Sequence, residues 1–197
     1  RYVKSSVGIC DISPVSKVDL QSHDLGKHIV QLRTLAVGSC MNHKFMSVNT
    51  PILIAKLTDA EAMMISKTET GPTIAEVFAK QDADCIHTTD ITSGLAGISI
   101  IGPESRSILA AGTDVDVSNS NFPNMSCSQI RFAEVHAILL RLDFNNILAF
   151  ELYFTRDFGI YIWETVTESA QHYGGGPIGI DALESLRLEH TAPTTGY

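Results

Sequence analysis

Two short pairs of residues in the first half of the chain could bind a metal ion. Cys40 precedes His43 by three positions and Cys85 precedes His87 by two, and thiolates and imidazoles are the ligands that zinc prefers in proteins. Neither pair is surrounded by the regular spacing of a zinc module. We therefore predict no metal site and interpret these four residues as core residues or strand ends.

Three carboxylates fall at the start of a predicted strand or on one, where a buried acid could have a raised pKa and act as a base. Asp11 and Asp90 each begin a similar tripeptide, Asp-Ile-Ser or Asp-Ile-Thr. This pattern is typical of a turn in which the aspartate side chain accepts backbone hydrogen bonds. Glu151, on a predicted strand, remains the candidate acid.

Motifs for nucleophilic catalysis and for nucleotide binding do not occur in the sequence. A catalytic serine needs a base and a group that orients the base, yet Gly-x-Ser-x-Gly is absent and the seven histidines lie in unrelated contexts. No Gly-x-Gly-x-x-Gly follows a predicted strand, and the glycine run that begins at Gly174 ends a predicted helix. We predict no catalytic residue and no NAD or FAD bound by this chain alone.

The elements that would position these residues follow a similar order in the two halves of the chain. Residues 11–35 predict a turn, a strand at 18–20 and a helix from Asp24, and residues 90–109 predict the same order with a strand at 98–100. Such internal repetition indicates two related units. We predict an α+β fold in which helices pack against antiparallel sheets, with a first lobe at 1–89 and a second at 90–197.

Each half continues with further strands and a helix. In the first half, residues 52–57 and 62–66 predict a hairpin, followed by an amphipathic helix with Ile74, Val77 and Phe78 on one face and a strand at 85–88. In the second half we predict strands at 128–132, 136–142 and 148–154, the last two separated by a turn at 145–146. A long helix follows, capped by Thr155, and a final helix covers 179–189. The apolar residues predicted to be buried on the long helix are Phe158, Tyr161, Ile162 and Val166, and the final helix carries Ile180, Leu183 and Leu186 at helical spacing.

The composition excludes some classes of partner. Among 197 residues, 14 basic side chains are scattered among 22 acidic ones, which gives a net charge of -8 and provides no basic footprint for nucleic acid. No apolar run reaches the roughly 18 residues that a membrane-spanning helix needs, and the first residues lack the apolar core of a signal peptide. We therefore expect a cytoplasmic protein. Its four cysteines, which are expected to be buried and reduced, are Cys10, Cys40, Cys85 and Cys127.

The stretch from Asp116 to Gly174 resembles one family in its order of turn, strands and helix. The matching residues are Phe122-Pro123, Ser126-Cys127-Ser128-Gln129, Arg141-Leu142-Asp143, Phe150-Glu151-Leu152-Tyr153 and Trp163. They resemble the gamma subunit of heterotetrameric sarcosine oxidase, within the aminomethyltransferase-like, folate-binding group. VGICDISPVSKVDL near the start and GPIGIDALESLRLEH near the end are similar to other members of that group.

The resemblance implies a fold and a ligand site. It implies that the chain forms the first two lobes of a three-lobed arrangement, without a counterpart of the third lobe, a small β-barrel, after Tyr197. Catalytic members carry an aspartate where this chain has Asn49-Thr50-Pro51, and Glu151 is the retained glutamate of their pterin-binding motif. Leu183 replaces an arginine that contacts folate in aminomethyltransferases, although dehydrogenase relatives tolerate an apolar residue there, and Arg187 matches a structural arginine. The resemblance therefore implies a weak folate-like pocket at Glu151 and no independent methylene transfer.

The function implied by the resemblance is that of a non-catalytic subunit of an amine-oxidising flavoenzyme. Its partners would be larger alpha and beta subunits and a small delta subunit, and FAD, FMN, NAD and tetrahydrofolate would be bound in the complex. Candidate contact segments are residues 41–46, with Met41, Phe45 and Met46, and the loop 122–125. The alternative for either segment is packing inside the domain. One alternative is a free-standing tetrahydrofolate-binding protein or demethylase that uses Glu151. Another is a scaffold for a different amine dehydrogenase.

Overall fold

The structure of the chain is a computed structural model, which describes residues 2–44, 51–66, 85–144 and 146–190. The α-helices of this part are Tyr2–Ser5, Leu25–His28, Val30–Thr34, Ser105–Gly112, Gly159–His172 and Ile180–His190, and a 3₁₀ turn covers Arg156–Phe158. The strands are β1 (Gly8–Asp11), β2 (Ser16–Gln21), β3 (Ser39–His43), β4 (Ile52–Lys56), β5 (Glu61–Ser66), β6 (His87–Asp90), β7 (Leu95–Ile101), β8 (Cys127–Phe132), β9 (Val135–Arg141), β10 (Ala149–Thr155) and β11 (Gly176–Pro177). No helix in these ranges is both long enough and apolar enough to span a bilayer.

The strands form two sheets. One has six strands in the order β11-β1-β7-β10-β9-β8, and the other has five in the order β3-β4-β5-β2-β6. All pairs are antiparallel except β1 with β11. The sheets also meet at their edges, where Ser39 bridges to Ser126 and the Cys127 amide donates to the Gly38 carbonyl at 2.8 Å.

The alternation of side chains along each strand separates the molecule into layers. On β10, Phe150, Leu152 and Phe154 pack in an apolar cluster with the helices Ser105–Gly112 and Gly159–His172. The helices Leu25–His28 and Val30–Thr34 pack on the outer face of the five-stranded sheet. The inner faces of both sheets share a third cluster, which contains Tyr153 from one sheet and Met63 from the other. The order of layers is therefore helix, sheet, sheet, helix.

The α+β prediction is confirmed, and most predicted elements are present. The hairpin of β4 and β5 pairs in register, and β2, β7, β8, β9 and β10 cover the predicted strands. The predicted helix from Asp24 is divided at Ile29, whose extended backbone (φ -117°, ψ 103°) separates two short helices. The predicted helix with Ile74, Val77 and Phe78 lies outside the described residues. The boundary between 89 and 90 stays a prediction, and β1 of the first half pairs with β7 of the second.

The prediction that Phe158 and Tyr161 are buried is wrong. Phe158 is 46% exposed and Tyr161 50% exposed, whereas Ile162 and Val166 are buried as predicted. The reason is geometric: the helix begins only at Gly159, after the 3₁₀ turn, and its core-facing positions follow the four-residue spacing from Ile162. Thr155 makes no side-chain capping hydrogen bond. On the last helix, Leu183 is buried and Ile180 is exposed, and the side chain of Leu186 is not described.

The large apolar side chains of the loop 122–125 pack against the core of the domain, so this loop does not form the contact surface for which it was a candidate. Phe122 is buried, and its ring stacks on Phe150 with the ring centroids 6.3 Å apart. Met125 is partly buried against the cluster between the sheets. Met41 is partly buried against the cluster outside the five-stranded sheet, while Phe45 and Met46 lie outside the described residues.

Candidate functional site

A row of paired residues, most of them with polar or thiol side chains, crosses the inner face of the six-stranded sheet. Cys10 on β1 pairs with Ser99 on β7, and Ser99 pairs with Glu151 on β10. Glu151 pairs with Leu140 on β9, which pairs with Cys127 on β8. Residues that are paired across strands share one face of the sheet. These five side chains are buried, so Glu151 lies in the middle of the molecule, between the two sheets.

The Glu151 carboxylate is held by a neighbour on its own strand. Glu151 is 5% exposed, and the Tyr153 hydroxyl donates a hydrogen bond of 2.6 Å to its Oε2 atom. Because Glu151 and Tyr153 are two positions apart on β10, with only Leu152 between them, both side chains point between the sheets. The Ser99 hydroxyl beside Glu151 is buried and has no hydrogen-bond partner within the described part of the chain. A buried hydroxyl in this state is uncommon in folded proteins.

Lys17 brings a positive charge to this layer from the facing sheet. Its side chain is fully buried on β2, and its Nζ atom donates hydrogen bonds of 2.8 Å to the carbonyls of Ser13 and Val15. The ammonium lies 5.8 Å from the centroid of the Tyr153 ring, a separation at which a cation and an aromatic face attract each other. Burial, assisted by the charge of Arg156, lowers the pKa of Lys17 to about 8, and nearby carboxylates oppose that shift.

Two turn aspartates flank this lysine, and their predicted role is confirmed. Asp11 accepts a hydrogen bond of 2.8 Å from the Ser13 amide, and Asp90 accepts one of 2.9 Å from the Thr92 amide. Hydrogen bonds from Thr92 lower the pKa of Asp90. The Thr92 hydroxyl in turn accepts from the Lys17 amide at 2.9 Å. The turn at Asp90 therefore fixes the backbone that carries Lys17.

Two thiols meet where the sheets join. Cys40 on β3 and Cys127 on β8 are buried, and the hydrogen bond with Cys127, together with burial, raises the pKa of the Cys40 thiol. The Cys127 Sγ atom also lies 3.5 Å from the carbonyl oxygens of Ser39 and Lys56. A buried thiol with a raised pKa is a poor nucleophile. We therefore assign Cys40 a packing role. The same hydrogen bond lowers the pKa of the Cys127 thiol, against the effect of burial.

The two residue pairs considered for metal binding lie far apart. Cys40 and His43 are on β3, and His87 is on β6, at the opposite edge of the five-stranded sheet. Among the described residues, no three His, Cys, Asp or Glu side chains are grouped so as to bind a metal ion. Cys85 is exposed, so its prediction as a core residue is wrong.

Open clefts lie on both sheets. A cleft of about 670 Å³ at one end of the six-stranded sheet includes Tyr153, Gln129, Arg131, His136 and Ile138. A second, of about 600 Å³, lies beside β2 and β6 and includes His23, His28 and His87. Neither cleft is lined by Glu151. Tyr153 lines the first cleft and also donates its hydroxyl to Glu151, the carboxylate that the resemblance singles out.

Sequence reasoning identified Glu151 but missed Lys17, Ser99 and Tyr153. All three alternate with apolar residues along their strands, a pattern that is also typical of a sheet with one face in water. The polar character of Ser99 and Lys17 was visible in the sequence. What the sequence did not show was that a second sheet covers these faces.

The two packed sheets with helices on both outer faces define an α+β domain of the aminomethyltransferase type. A family model described as the GCVT N-terminal domain matches residues 1–197, so the chain belongs to this family. The aminomethyltransferase-like resemblance seen in the sequence is therefore confirmed.

The curated relatives of the chain are larger than the chain itself. It is 26% identical to the sarcosine oxidase subunit alpha of Corynebacterium sp. (strain U-96), with 96% of this chain and 21% of the relative covered. It is 21% identical to the mitochondrial dimethylglycine dehydrogenase of Mus musculus, with 96% and 23% covered. For the aminomethyltransferase of Alkaliphilus metalliredigens the identity is 22%, with 99% and 55% covered. The chain thus spans about a fifth to about half of these relatives.

Two solved structures have the same fold. Aminomethyltransferase T of the glycine cleavage system from Bartonella henselae matches with a TM-score of 0.80 at 14% identity, covering 95% of this chain and 52% of that one. A chain of heterotetrameric sarcosine oxidase from Corynebacterium sp. U-96 matches with a TM-score of 0.71 at 11% identity, covering 89% of each chain. The second chain is therefore of similar length to this one.

Proposed function

We propose that the chain is a gamma-like, non-catalytic structural subunit of a heteromeric amine-oxidising flavoenzyme of the sarcosine oxidase type. In this proposal the larger alpha and beta subunits and a small delta subunit are its partners. FAD, FMN, NAD and tetrahydrofolate are bound by those partners, and the complex is cytoplasmic. Support comes from its relatives, which include sarcosine oxidase alpha subunits, and from the structural match to 89% of a chain of a heterotetrameric sarcosine oxidase.

The observation that carries the non-catalytic part of the proposal is the engagement of Glu151 inside the domain. Its carboxylate is buried and accepts the Tyr153 hydroxyl at 2.6 Å. Leu183, at the position of an arginine in aminomethyltransferases, is fully buried in the apolar cluster between the sheets, together with Leu140 and Ala149. A buried carboxylate that accepts a hydrogen bond from its own strand is held in place by the domain itself, which supports a structural role for Glu151.

The described residues do not fit tetrahydrofolate in the way that the resemblance implies for catalytic members. A folate ring would need an open, mostly apolar pocket with a few convergent polar groups, whereas the surroundings of Glu151 and Leu183 are packed side chains. The sequence also has Asn49-Thr50-Pro51 in place of the reacting aspartate. We therefore derive no chemical step through folate on this chain.

The experiment that tests the proposal is a native mass determination on the protein isolated gently from its source, with an absorbance scan of the same sample. A complex that contains larger chains and has a flavin spectrum supports the subunit role. A colourless species of 21.4 kDa contradicts it. Dissociation of the complex in denaturant, followed by mass analysis of each chain, then gives the stoichiometry.

A second candidate function is tetrahydrofolate binding by this chain alone, and one observation favours it. The unsatisfied Ser99 hydroxyl lies next to Glu151 in the buried row, and a polar atom of a pterin ring that entered between the sheets would provide it with a partner, although the packed side chains would have to move apart to admit the ring. Calorimetric titration of the isolated chain with tetrahydrofolate tests this candidate. Binding that is lost in Glu151→Ala and kept in the exposed control Glu134→Gln would locate the ligand at Glu151. No binding would exclude this candidate.

A further inference from the structure

Three large apolar side chains are exposed together where β10 leads into the helix Gly159–His172. Phe158 is 46% exposed, Ile160 77% and Tyr161 50%. Phe158, at the end of the 3₁₀ turn, and Tyr161 are three positions apart, a spacing at which side chains are neighbours on a helical surface. Ile160 lies about 100° round the helix from Tyr161. We call these three side chains the apolar surface.

The core does not need this apolar surface. The same helix buries Ile162, Val166 and Ala170, which are spaced by four residues and pack in the cluster on the six-stranded sheet. At about 100° of rotation per residue, Ile160 and Tyr161 lie on the other side of the helix. A helix on the outside of a globular domain normally has a polar outer face, and contiguous exposed apolar side chains mark sites of interaction.

Acidic side chains border the apolar surface. Glu164 lies one helical turn beyond Ile160, Glu168 lies one turn further along the same outer face, and Asp157 precedes Phe158. None of these three carboxylates forms an ion pair with any residue in the described part of the chain. Arg156 is the basic side chain at this end. The border therefore carries more negative than positive charge.

We propose that the apolar surface and its acidic border are a docking site for a different protein chain, whose own contact surface is apolar with lysine and arginine at its rim. Charge is the reason for preferring a different chain to a second copy. The chain has 22 acidic and 14 basic residues, and a symmetric pair meeting on this helix would bring Glu164 and Glu168 of both copies close together. Like charges across an interface oppose association. This inference rests on the proposed function, in which the partner is one of the larger subunits.

The first test compares two exposed apolar residues on different helices. Tagged chains with Ile160→Asp or Val30→Asp are expressed in the source organism, and the larger chains bound to each are quantified by native mass spectrometry. Val30 is 67% exposed and lies on the helix Val30–Thr34, on the outer side of the other sheet, so it is a matched control. We expect the amount of larger chains bound to Ile160→Asp to be at most about a tenth of the wild-type amount, and the amount bound to Val30→Asp to equal that of the wild type. Circular dichroism spectra and melting curves verify that both variants fold.

The second test concerns the acidic border. Carbodiimide treatment of the wild-type complex joins carboxylates directly to lysines in contact with them, and we expect cross-links from Glu164 or Glu168 to lysines of a larger chain. The double variant Glu164→Lys/Glu168→Lys should lose binding about tenfold or more, while the exposed control Glu134→Lys should not. Cross-links that arise only elsewhere on the chain, with the double variant bound normally, overturn the assignment of this surface.

The possible outcomes distinguish this inference from the proposed function. If the wild-type chain binds larger chains and Ile160→Asp binds them as well as Val30→Asp does, the docking surface is wrong and the subunit role stands. If the wild-type chain is a monomer without larger chains, the subunit role fails and the docking inference fails with it. If the wild-type chain forms a homodimer that Ile160→Asp dissociates, the apolar surface is an interface but its occupant is a second copy of this chain. That result overturns the proposal of a different chain.

Discussion

The two faces of the six-stranded sheet differ in the kind of side chain they bury. The outer face, under the helices, is a continuous apolar cluster that includes Phe150, Leu152 and Phe154. The inner face carries Cys10, Ser99 and Glu151 in a row, opposite the buried Lys17 of the other sheet. Apolar burial gives stability in proportion to area, whereas buried polar groups stabilise only when they are paired. The outer face is thus suited to holding the domain together, and the inner face to holding groups in defined positions.

The largest expected effect comes from the outer face. Phe150→Ala removes a fully buried ring that stacks on Phe122, and it should lower the free energy of unfolding by about 3–5 kcal/mol because of the cavity left behind. Urea unfolding followed by circular dichroism measures this change. The matched control is Phe158→Ala, whose ring is half exposed and should cost much less. Equal losses in the two variants would contradict the assignment of faces.

Breaking the polar contact of the inner face should cost less. Tyr153→Phe removes the hydroxyl that donates to Glu151 Oε2 while it keeps the ring. It should lower the unfolding free energy by about 1–3 kcal/mol, because a buried carboxylate loses a hydrogen bond. Urea unfolding at constant pH checks this prediction. The control Tyr161→Phe, at an exposed position, should leave stability unchanged. A neutral Tyr153→Phe would show that the hydroxyl is not important for holding Glu151.

The buried lysine on the inner face should make the unfolding free energy depend on pH, an effect that the apolar side chains of the outer face do not produce. The pKa of Lys17 falls from 10.5 in the unfolded chain to about 8 in the folded one. Between these two values the unfolded chain binds the proton more tightly, so this lysine makes the unfolding free energy rise as the pH increases from about 8 to 10.5. Below pH 8 both states hold the proton, so the folded state bears the full free-energy cost of burying the charged ammonium.

Urea unfolding across that pH window, on the wild type and on Lys17→Met, measures the contribution of the lysine. We expect the wild type to gain stability relative to Lys17→Met as the pH rises. For Lys27→Met, a change at an exposed position, the plot of unfolding free energy against pH should run parallel to that of the wild type. A constant difference between the wild type and Lys17→Met would show that the pKa of Lys17 is not lowered.

The smallest expected effect on the unfolding free energy is no change or a gain, where Phe150→Ala and Tyr153→Phe lose stability. Ser99→Ala removes a buried hydroxyl that has no partner within the described residues, so the variant should be as stable as the wild type or more stable by up to about 1 kcal/mol. Differential scanning calorimetry checks this as an unchanged or raised melting temperature. A clear loss of stability would indicate that a bound water or ligand uses the hydroxyl, and it would strengthen the folate-binding alternative.

Local patterns in the sequence were sufficient to predict the strands and turns, but not which distant parts of the chain pack against them. The alternation of Phe150, Leu152 and Phe154 predicted β10, and the turn chemistry of Asp11 and Asp90 was correctly predicted, because each depends on residues close in sequence. The burial of Glu151 depends on a second sheet whose strands are distant in the chain. The exposure of Phe158 depends on where the 3₁₀ turn ends, which apolar spacing alone does not indicate. Function was predicted from resemblance, since the motifs of catalysis were absent.

The parallel pairing of β1 with β11 affects how the chain can fold during its synthesis. Gly8 aligns with Gly176, and Ile9 aligns with Pro177, so β1 waits for a partner strand that is synthesised much later. Its other neighbour, β7, is also distant in sequence, and contacts over such separations slow folding because long loops must close first. The nascent β1 strand therefore has both edges unpaired until β7 is synthesised, and one edge unpaired until β11 follows. Protection of this strand by chaperones would limit aggregation during that interval.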